Sequence, residues 1–295
     1  MNSKNSDVFH SKEFQKELDA FIERAFKEDI GERDHTSFAC IPAKIKAEGR
    51  LLVKDDGVIA GIEVAKRIFK KLDKKITLDA FVKDGDNVKK GDIAFIVDGN
   101  ARTLHTGERL VLNVMQRMSG IATKAHHLTQ LCEGTKAKVL DTRKTTPGMR
   151  LLEKWAVSIG GATNHRWGLY DMILIKDNHV HCSGGIKNAI KNAHDYLKKE
   201  KKKLDIEIEV GNFDELKDVL EMGGVQMILL DNFTPANISK AVKMIGGKYK
   251  TEASGGITED NIRKYALTGV DFISSGGLTH SVKSLDLSLK IFPFE

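Results

Sequence analysis

Most of the side chains that could bind anions or move protons lie in one stretch of the sequence, positions 141–180, which reads DTRKTTPGMRLLEKWAVSIGGATNHRWGLYDMILIKDNHV. They are Arg143, Lys144, His165, Arg166, Lys176, Asp177 and His179. Arginine offers a planar fork of donors to a carboxylate or phosphate, and lysine offers a point charge. VLDT leads directly into RKTT, and MILI leads directly into KDNH, so cations follow apolar runs. The spacing predicts a pocket for a small polyanion; the alternative is a set of surface charges at loop starts.

The composition narrows the classes of protein to consider. The 295 residues are enough for two domains or one large domain with a sizeable core. The formal net charge of +6 suits a nucleic acid or a phosphorylated metabolite equally. The most basic run, KKEKKK at 198–203, follows a helical pattern and has no interleaved aromatic residues, so we predict no nucleic-acid binding. No apolar run is long enough to cross a bilayer, so we predict no membrane partner.

The N-terminal sequence and the cysteines predict a cytoplasmic protein. The stretch MNSKNSDVFHSKEF is polar and lacks the apolar core of a signal peptide. Cys40, Cys132 and Cys182 are scattered without the spacing of a metal site. An odd and sparse set of cysteines is typical of a reducing compartment, and Cys182 reads as an ordinary free thiol.

The chain from about 126 to 280 alternates short apolar runs with helical patterns. The runs are AKVLD, MILIK, LDIEIEV, QMILLD, KTEAS and VDFISS. Nearly continuous apolar runs indicate strands buried on both faces of a parallel sheet. Each ends on a polar residue, in order Asp141, Lys176, Glu209, Asp231, Ser254 and Ser274. In an α/β barrel these ends build the active site, and in a doubly wound sheet they would meet at its switch point.

The length of this part and its last turns refine the prediction. A full barrel takes about 250 residues, so we expect a catalytic α/β barrel that is incomplete or lightly trimmed. The last two strands lead into the glycine turns SGG at 254–256 and 275–277. Glycine lets the backbone approach a ligand, and barrels often bind phosphate after their final strands. Two such turns favour a phosphate site over plain turns.

The first part of the chain has a different order of predicted elements, in which strands are grouped around a few helices. We predict helices at 14–26, 62–72 and 106–118, and an α+β sandwich domain over 1–125. The barrel domain follows over 126–280, and we expect 281–295 to return to the N-terminal domain. The segment VKDGDNVKKGDIAFIVDG resembles the hairpin of biotinyl and lipoyl carriers. Its turn carries no lysine to modify, so we interpret it as a structural hairpin.

The motifs resemble those of a known enzyme family over nearly the whole chain. They are EDIGERDHTS, GERLVLNVMQRMSGIAT, DTRKTTPGMRLLEKWAV, GGATNHRWGLYDMILIKDNH, EIEV, LLDNF, EASGGI and ISSGGLTHS. Together they are similar to the quinolinate phosphoribosyltransferases, also called nicotinate-nucleotide pyrophosphorylases (carboxylating). The resemblance implies a type II phosphoribosyltransferase with an N-terminal sandwich domain and a C-terminal α/β barrel.

The resemblance also implies an activity and its partners. The enzyme would join quinolinate to phosphoribosyl pyrophosphate, with Mg²⁺ required. It would release nicotinate mononucleotide, pyrophosphate and carbon dioxide in the de novo synthesis of NAD. The active unit would be a homodimer or a higher homo-oligomer with a shared active site.

The family motifs assign roles to individual residues of this chain. Those around the two carboxylates of quinolinate would be Arg143, His165, Arg166, Lys176 and, from a neighbouring subunit, Arg109. Lys144 would bridge towards the phosphates, supported by Asp177 and His179. Glu209 and Asp231 would face the ribose hydroxyls and Mg²⁺. The 5′-phosphate would be held by Ser254, Gly255, Gly256, Ser275, Gly276 and His280. The catalytic groups among these would be Lys144, Lys176, His165, Glu209 and Asp231.

Several alternatives stay open at the level of sequence. Arg109 could form an ordinary ion pair along a helix, His179 and His280 could cap loops, and Asp231 could cap the helix that begins near Thr234. Either Lys176 or His165 could protonate the carbanion left by decarboxylation. A sister enzyme that uses nicotinate or another small acid is the nearest rival function. A non-catalytic sensor of a phosphate ligand on a barrel scaffold is the rival from another class.

Overall fold

A computed structural model describes residues 8–294, so the first seven residues of the polar N-terminal stretch lie outside the described residues. The chain forms two compact units. The first contains Met1–His126, Thr145–Gly161 and Leu278–Glu295, and the second contains His127–Lys144 and Ala162–Gly277. The segment Thr145–Gly161, which falls inside the predicted domain 126–280, therefore groups with the first unit.

The first unit is built on a mainly antiparallel sheet with helices. Its strands are β1 (Lys46–Val53), β2 (Gly57–Val58), β3 (Thr77–Ala80), β4 (Asn87–Val88), β5 (Ile93–Asn100) and, from the C-terminal segment, β12 (Leu287–Pro293). Its helices are α1 (Lys12–Asp29), α2 (His35–Cys40), α3 (Ile62–Leu72), most of α4 (Ala101–Leu131) and α5 (Arg150–Ile159). The four-stranded sheet has the order β12-β1-β5-β3, and β2 pairs with β4. The C-terminal strand β12 thus lies antiparallel to β1.

The local sequence explains these elements. Strand β1 buries every second residue, among them Leu51 and Val53, as a strand with one covered face must. Helix α1 begins where the Ser11 side chain accepts the Phe14 N–H, and it buries Phe14 and Leu18 on one stripe. The Phe14 ring meets the Trp155 ring edge to face at 5.2 Å, which fixes α1 against α5 within this unit.

Helix α4 has 31 residues and is far longer than the helix predicted at 106–118. The prediction stopped before Ser119 and Gly120, which usually weaken a helix. Gly120 stays helical because the chain passes close to it. A Cβ at this position would overlap the Lys283 carbonyl oxygen and lie 3.1 Å from the carbonyl carbon. The glycine therefore serves close packing and does not end the helix.

The second unit is a parallel α/β structure. Its strands are β6 (Lys138–Leu140), β7 (Ile173–Ile175), β8 (Ile206–Val210), β9 (Met227–Asp231), β10 (Lys250–Ser254) and β11 (Phe272–Ser274). The helices that follow are α6 (Asp177–Ser183), α7 (Ile186–Lys199), α8 (Phe213–Met222), α9 (Pro235–Ile245), α10 (Ile262–Ala266) and α11 (Gly277–His280), the last of which runs on into the first unit. The sheet has the order β6-β11-β10-β9-β8-β7.

This strand order is that of a barrel that does not fully close. Strands β7 to β11 are neighbours in chain order, and β11 then pairs in parallel with β6. A parallel bridge between Leu140 and Thr163 continues the sequence beyond β6. Within residues 8–294 no pairing joins Thr163 to β7, so the sheet stays open there. The predicted fold class, an α+β unit followed by a parallel α/β unit, is confirmed.

The βα units have the expected buried strands and helix ends. Strand β9 buries four successive residues, as a strand covered on both faces does. The Thr234 side chain caps α9 with Pro235 as its first residue, and the Asn212 side chain caps α8, which ends at Gly223. Among the described helices none is both long and apolar enough to cross a membrane.

Candidate active site

The polar residues predicted at the strand ends lie where they were expected. Lys176 directly follows β7, Glu209 is the penultimate residue of β8, and Asp231 and Ser254 end β9 and β10. Parallel strands bring their carboxyl ends to one edge, so these residues share one end of the sheet. We call Lys176, Glu209, Asp231 and Ser254 the rim.

Asp141, which follows β6, has a structural role. Its carboxylate is fully buried and accepts the His165 backbone N–H at 2.8 Å and the Asn164 side-chain amide at 2.8 Å. The Asp141 N–H in turn donates to the Thr163 carbonyl at 3.1 Å. This carboxylate therefore holds the loop that carries His165 and Arg166 against β6.

Lys176 is fixed on the rim by the groups around it. Its ammonium lies 2.8 Å from the Glu209 carboxylate, with the Lys176 side chain 47% exposed and that of Glu209 12% exposed. The Lys176 backbone N–H donates to His179 Nδ1 at 2.9 Å, and Asp177 Oδ1 accepts the Asn178 N–H at 2.7 Å. The His179 side chain thus caps the start of the short helix α6, and the ligand-supporting roles assigned to Asp177 and His179 stay predictions. The sequence reading had not predicted this helix.

Glu209 and Asp231 place two acidic groups on neighbouring strands. Partial burial, followed by the negative charge of Glu209, raises the pKa of Asp231. The charge of Lys176 and a hydrogen bond from the Asn232 amide oppose this shift. The Asn232 amide donates to Asp231 Oδ2 at 2.6 Å. These two carboxylates therefore lie at the same end of the neighbouring strands β8 and β9.

Two arginines place positive charge beside the rim. Arg166 is only 8% exposed, and its guanidinium reaches the Met172 carbonyl at 3.4 Å. Burial, followed by the charge of Arg143, lowers the pKa of Arg166 below its usual value. The Arg143 Nε is buried and makes no hydrogen bond within the described residues. The two guanidinium groups are therefore close enough for their charges to repel each other. Lys144 directly follows Arg143 and is exposed.

A buried acidic group lies below the rim, and the sequence reading missed it. His165 Nε2 lies 2.8 Å from Glu207 Oε2 and 3.5 Å from Glu252 Oε2. Burial raises the pKa of Glu207 to about 7, and burial together with the charge of Glu207 raises that of Glu252 to about 8. We call His165, Glu207 and Glu252 the floor. Its three ligand atoms are close enough to surround a metal ion. However, the 2.8 Å separation of His165 and Glu207 is that of a hydrogen bond.

The sequence did contain a signal for the floor. Glu207 precedes Glu209 by two positions, and Glu252 precedes Ser254 by two, so each pair faces the same side of its strand. A glutamate inside an apolar run is costly to bury unless it has partners. Such residues are therefore candidates for a shared internal cluster.

The two glycine turns differ in how they are built. Gly255 and Gly256 have φ values of 95° and 61°, a backbone region that favours glycine. The second turn is tied into the fold, because the Ser275 N–H donates to the Leu140 carbonyl at 3.0 Å and its hydroxyl to the Ile257 carbonyl at 3.4 Å. Ser275 is only 5% exposed, and Gly276 follows it. The first turn is therefore the more open of the two.

The remaining predicted residues, Arg109 and His280, belong to the first unit. Arg109 is exposed on α4. His280 ends α11, where its Nδ1 lies 2.7 Å from the Ser281 hydroxyl. The roles assigned to both residues stay predictions.

Two family models match the chain in order. They are the quinolinate phosphoribosyl transferase N-terminal domain over residues 34–119 and the C-terminal domain over residues 121–290. A rice protein named nicotinate-nucleotide pyrophosphorylase (carboxylating), chloroplastic, is 46% identical, and the match covers 93% of this chain and 78% of the relative. A Bacillus subtilis protein named probable nicotinate-nucleotide pyrophosphorylase (carboxylating) is 40% identical, and the match covers 93% of both chains.

Solved structures give the same picture at the level of the fold. The crystal structure of NadC from Streptococcus pyogenes matches with a TM-score of 0.89 and 36% identity, over 94% of this chain and 97% of that one. A human nicotinic acid phosphoribosyltransferase matches with a TM-score of 0.63 over 87% of this chain and 72% of that one. Its identity is 13%, so this likeness shows a shared fold alone.

Proposed function

Because the chain belongs to the quinolinate phosphoribosyltransferase family, we propose that it transfers the phosphoribosyl group of phosphoribosyl pyrophosphate to quinolinate. The transfer is coupled to decarboxylation and gives nicotinate mononucleotide, pyrophosphate and carbon dioxide. The product is an intermediate in the de novo synthesis of NAD.

The observation that carries this proposal is the opposition of Arg143 and Arg166. The two guanidinium groups repel each other, and that of Arg166, which is 8% exposed, is poorly solvated in the free protein. A planar dicarboxylate relieves both costs at once, since each arginine can form a forked pair with a carboxylate. A monocarboxylate would satisfy one of them only. We therefore assign Arg143, His165, Arg166 and Lys176 to the acceptor acid.

The chemistry requires positioning and charge stabilisation. The pyridine nitrogen attacks the anomeric carbon of the ribose as pyrophosphate departs, so the acceptor must be held in line with the leaving group. Negative charge grows on the departing oxygens, and we assign Lys144 to it. The quaternary pyridinium then stabilises the carbanion formed when the adjacent carboxylate leaves as carbon dioxide. A proton donated by His165 or Lys176 completes the product.

We propose Mg²⁺ as the metal of the reaction, held at Glu209 and Asp231. Both offer hard carboxylate oxygens from neighbouring strands, which is the donor chemistry that Mg²⁺ prefers. When bound, the ion supplies charge neutralisation to the pyrophosphate. The same carboxylates accept the ribose hydroxyls. The 5′-phosphate is assigned to Ser254, Gly255, Gly256, Ser275, Gly276 and His280. Asp177 and His179 support this ligand set by fixing the start of α6.

One assay tests the proposed function. The purified protein is incubated with phosphoribosyl pyrophosphate, Mg²⁺ and either quinolinate or nicotinate, and the product is identified by mass. We expect nicotinate mononucleotide from quinolinate, with a far lower kcat/KM for nicotinate. Comparable values for the two acids would favour the sister enzyme. Binding of phosphoribosyl pyrophosphate without turnover of either acid would favour a sensor.

We propose an active homo-oligomer, at least a dimer, in which Arg109 completes the site of a neighbouring subunit. Arg109 is an exposed cation in the first unit, outside the parallel sheet that carries the other assigned cations. Mixing an Arg109→Ala protein with a Lys144→Ala protein should restore part of the activity, since some hybrid sites would contain both native residues. Subunit exchange without any recovery would contradict the shared site.

We also propose that the protein acts in the cytoplasm. The three cysteines are free thiols, which a reducing compartment maintains. The rice relative carries a chloroplastic name and a tobacco relative a mitochondrial one. Fractionation that finds this protein in an organelle would therefore contradict the proposal.

A further inference from the structure

Asn232 has an unusual backbone conformation next to the rim. Its φ is 56°, and the other non-glycine residue with a positive φ within residues 8–294 is Lys201, at 53°. This region is unfavourable for residues with a Cβ, although asparagine tolerates it better than most. Asn232 directly follows Asp231, and its N–H donates to the Ser254 carbonyl at 2.9 Å. The strained residue therefore stands between the ends of β9 and β10.

The side chain of Asn232 reaches both neighbours. Its amide nitrogen donates to Asp231 Oδ2 at 2.6 Å. Its amide oxygen occupies the space beside Gly255, where a Cβ built on the glycine would overlap it. The same Cβ would lie 2.9 Å from the Asn232 backbone nitrogen. Gly255 is therefore required by its contact with Asn232 as well as by its own φ of 95°.

We propose that Asn232 is a positioning residue that sets the spacing between the Asp231 carboxylate and the glycine turn at Gly255. This inference rests on the proposed function, in which Asp231 faces the ribose and the turn holds the 5′-phosphate. Ribose and its 5′-phosphate are joined by only a few bonds, so their two receptors must stay within that short reach of each other. One side chain in contact with both receptors provides it, and the strained backbone aims that side chain.

An ordinary turn residue would behave differently in one respect. Glycine adopts a φ near 56° without strain, so Asn232→Gly keeps the turn and removes only the side chain. If Asn232 served the turn alone, this variant would bind ligands normally. Lys201→Gly is the matched control, because it relieves a similar φ at an exposed site at the end of α7.

The experiment measures binding by calorimetry without Mg²⁺, with nicotinate mononucleotide and quinolinate as separate probes. For Asn232→Gly we expect nicotinate mononucleotide to bind roughly 10–100-fold more weakly, the usual loss for a residue that orients a ligand-binding group. Quinolinate, which lacks ribose and phosphate, should bind as it does to the wild type. The melting temperature should not fall, and Lys201→Gly should match the wild type in both affinities.

A second variant tests the hydrogen bond itself. Asn232→Asp keeps the size and the tolerance of a positive φ, but its carboxylate cannot donate to Asp231. We expect a similar loss of affinity for nicotinate mononucleotide. Wild-type affinity in either variant overturns the positioning role, and so does an equal loss for quinolinate. A wild-type protein that neither binds nor forms nicotinate mononucleotide overturns the proposed function and this inference together.

Discussion

The rim and the floor share strands β8 and β10, yet the two glutamates of β8 have different surroundings. Glu207 and Glu209 face the same side of β8, two residues and about 6–7 Å apart. Glu209 pairs with the half-exposed Lys176 at 2.8 Å. Glu207 is fully buried, and its pKa is raised to about 7. One step along a strand therefore separates a solvated ion pair from a carboxyl group for which the neutral form is favoured.

This difference explains how the site keeps its positive charge. If both floor carboxyls were ionised, they would neutralise cations that a dianionic substrate needs. Burial opposes the ionisation of both carboxyls, and the charge of Glu207 also opposes the ionisation of Glu252. We therefore expect Arg143 and Arg166 to keep their charge for a ligand. The floor orients His165, while the rim is available for binding.

The largest expected effect comes from Arg166, the most buried cation beside the rim. Arg166→Gln removes one partner of a desolvated charge pair with the substrate, which costs about 2–5 kcal/mol. The kcat/KM for quinolinate should therefore fall by roughly 30-fold to several thousand-fold. The melting temperature should stay the same or rise, because burial beside Arg143 disfavours the charge of Arg166. A variant that loses stability and keeps its activity would show that Arg166 is structural.

Lys176 tests the rim itself. Losing one charged hydrogen bond costs roughly 1.5–3 kcal/mol, so Lys176→Ala should weaken quinolinate binding about tenfold or more. Binding of phosphoribosyl pyrophosphate should change much less, which separate titrations by calorimetry can show. A further fall in kcat at saturating substrate would identify Lys176 as the proton donor. Loss of phosphoribosyl pyrophosphate binding with intact quinolinate binding would contradict this division of the pocket.

Lys187 provides a matched control for Lys176. It is 49% exposed and lies 2.6 Å from Glu221, so its exposure and pairing resemble those of Lys176. Lys187, however, is the second residue of helix α7 and does not stand at the end of a strand. Lys187→Ala should leave both affinities and kcat unchanged. A loss like that of Lys176→Ala would mean that removing any exposed lysine of this unit disturbs the site.

The rim was predictable from the sequence, whereas for the floor the sequence marks single glutamates but not the residues that they meet. The end of a parallel strand is marked by a polar residue after an apolar run, so Lys176 and Asp231 could be placed correctly. Glu207 and Glu252 lie inside such runs, where a reading by apolar continuity treats them as strand interior. Their partnership with His165 depends on three separate segments meeting in space. The pattern of adjacent residues in the sequence does not show which distant segments come into contact.

The same limit explains the other differences between prediction and structure. Helix α4 continues past Gly120 because a distant segment, at Lys283, packs against that glycine. Asn232 was missed because its importance lies in a backbone angle and in the contact with Gly255. The family resemblance supplied the ligand set at the rim, since motifs record residues at strand ends. The β8 and β10 motifs EIEV and EASGGI also contain Glu207 and Glu252, but no role was assigned to them.

Glu252 tests the floor through the pH dependence of stability. Its pKa rises from 4.5 to about 8 on folding, so the folded state holds its proton more tightly than the unfolded state does. The free energy of unfolding should therefore fall as the pH rises from about 4.5 to about 8. Glu252→Gln cannot ionise and should lack this loss. We expect equal melting temperatures at about pH 4, below the pKa of the unfolded state, and a variant more stable by several degrees near pH 8, at about 2–4 °C per kcal/mol. Parallel pH curves would place the carboxyl in a solvated environment.

The smallest effect is expected at an exposed ion pair of the first unit, which sharpens the contrast with the floor. A hydrogen bond from Arg67 is the main cause that lowers the pKa of Asp19 from 3.8 to about 2. The sign is opposite to that of Glu252, because the folded state here favours the charged carboxylate. Its contribution is present above about pH 4 and is lost as the pH falls towards 2. Both side chains are about one-third exposed, so solvent screens the pair.

Asp19→Asn should therefore cost less than about 1 kcal/mol in urea unfolding at pH 7, and most of that cost should vanish in 1 M salt. A larger, salt-resistant loss would show that this pair is as poorly solvated as the floor, and burial would then no longer explain the difference between the two regions.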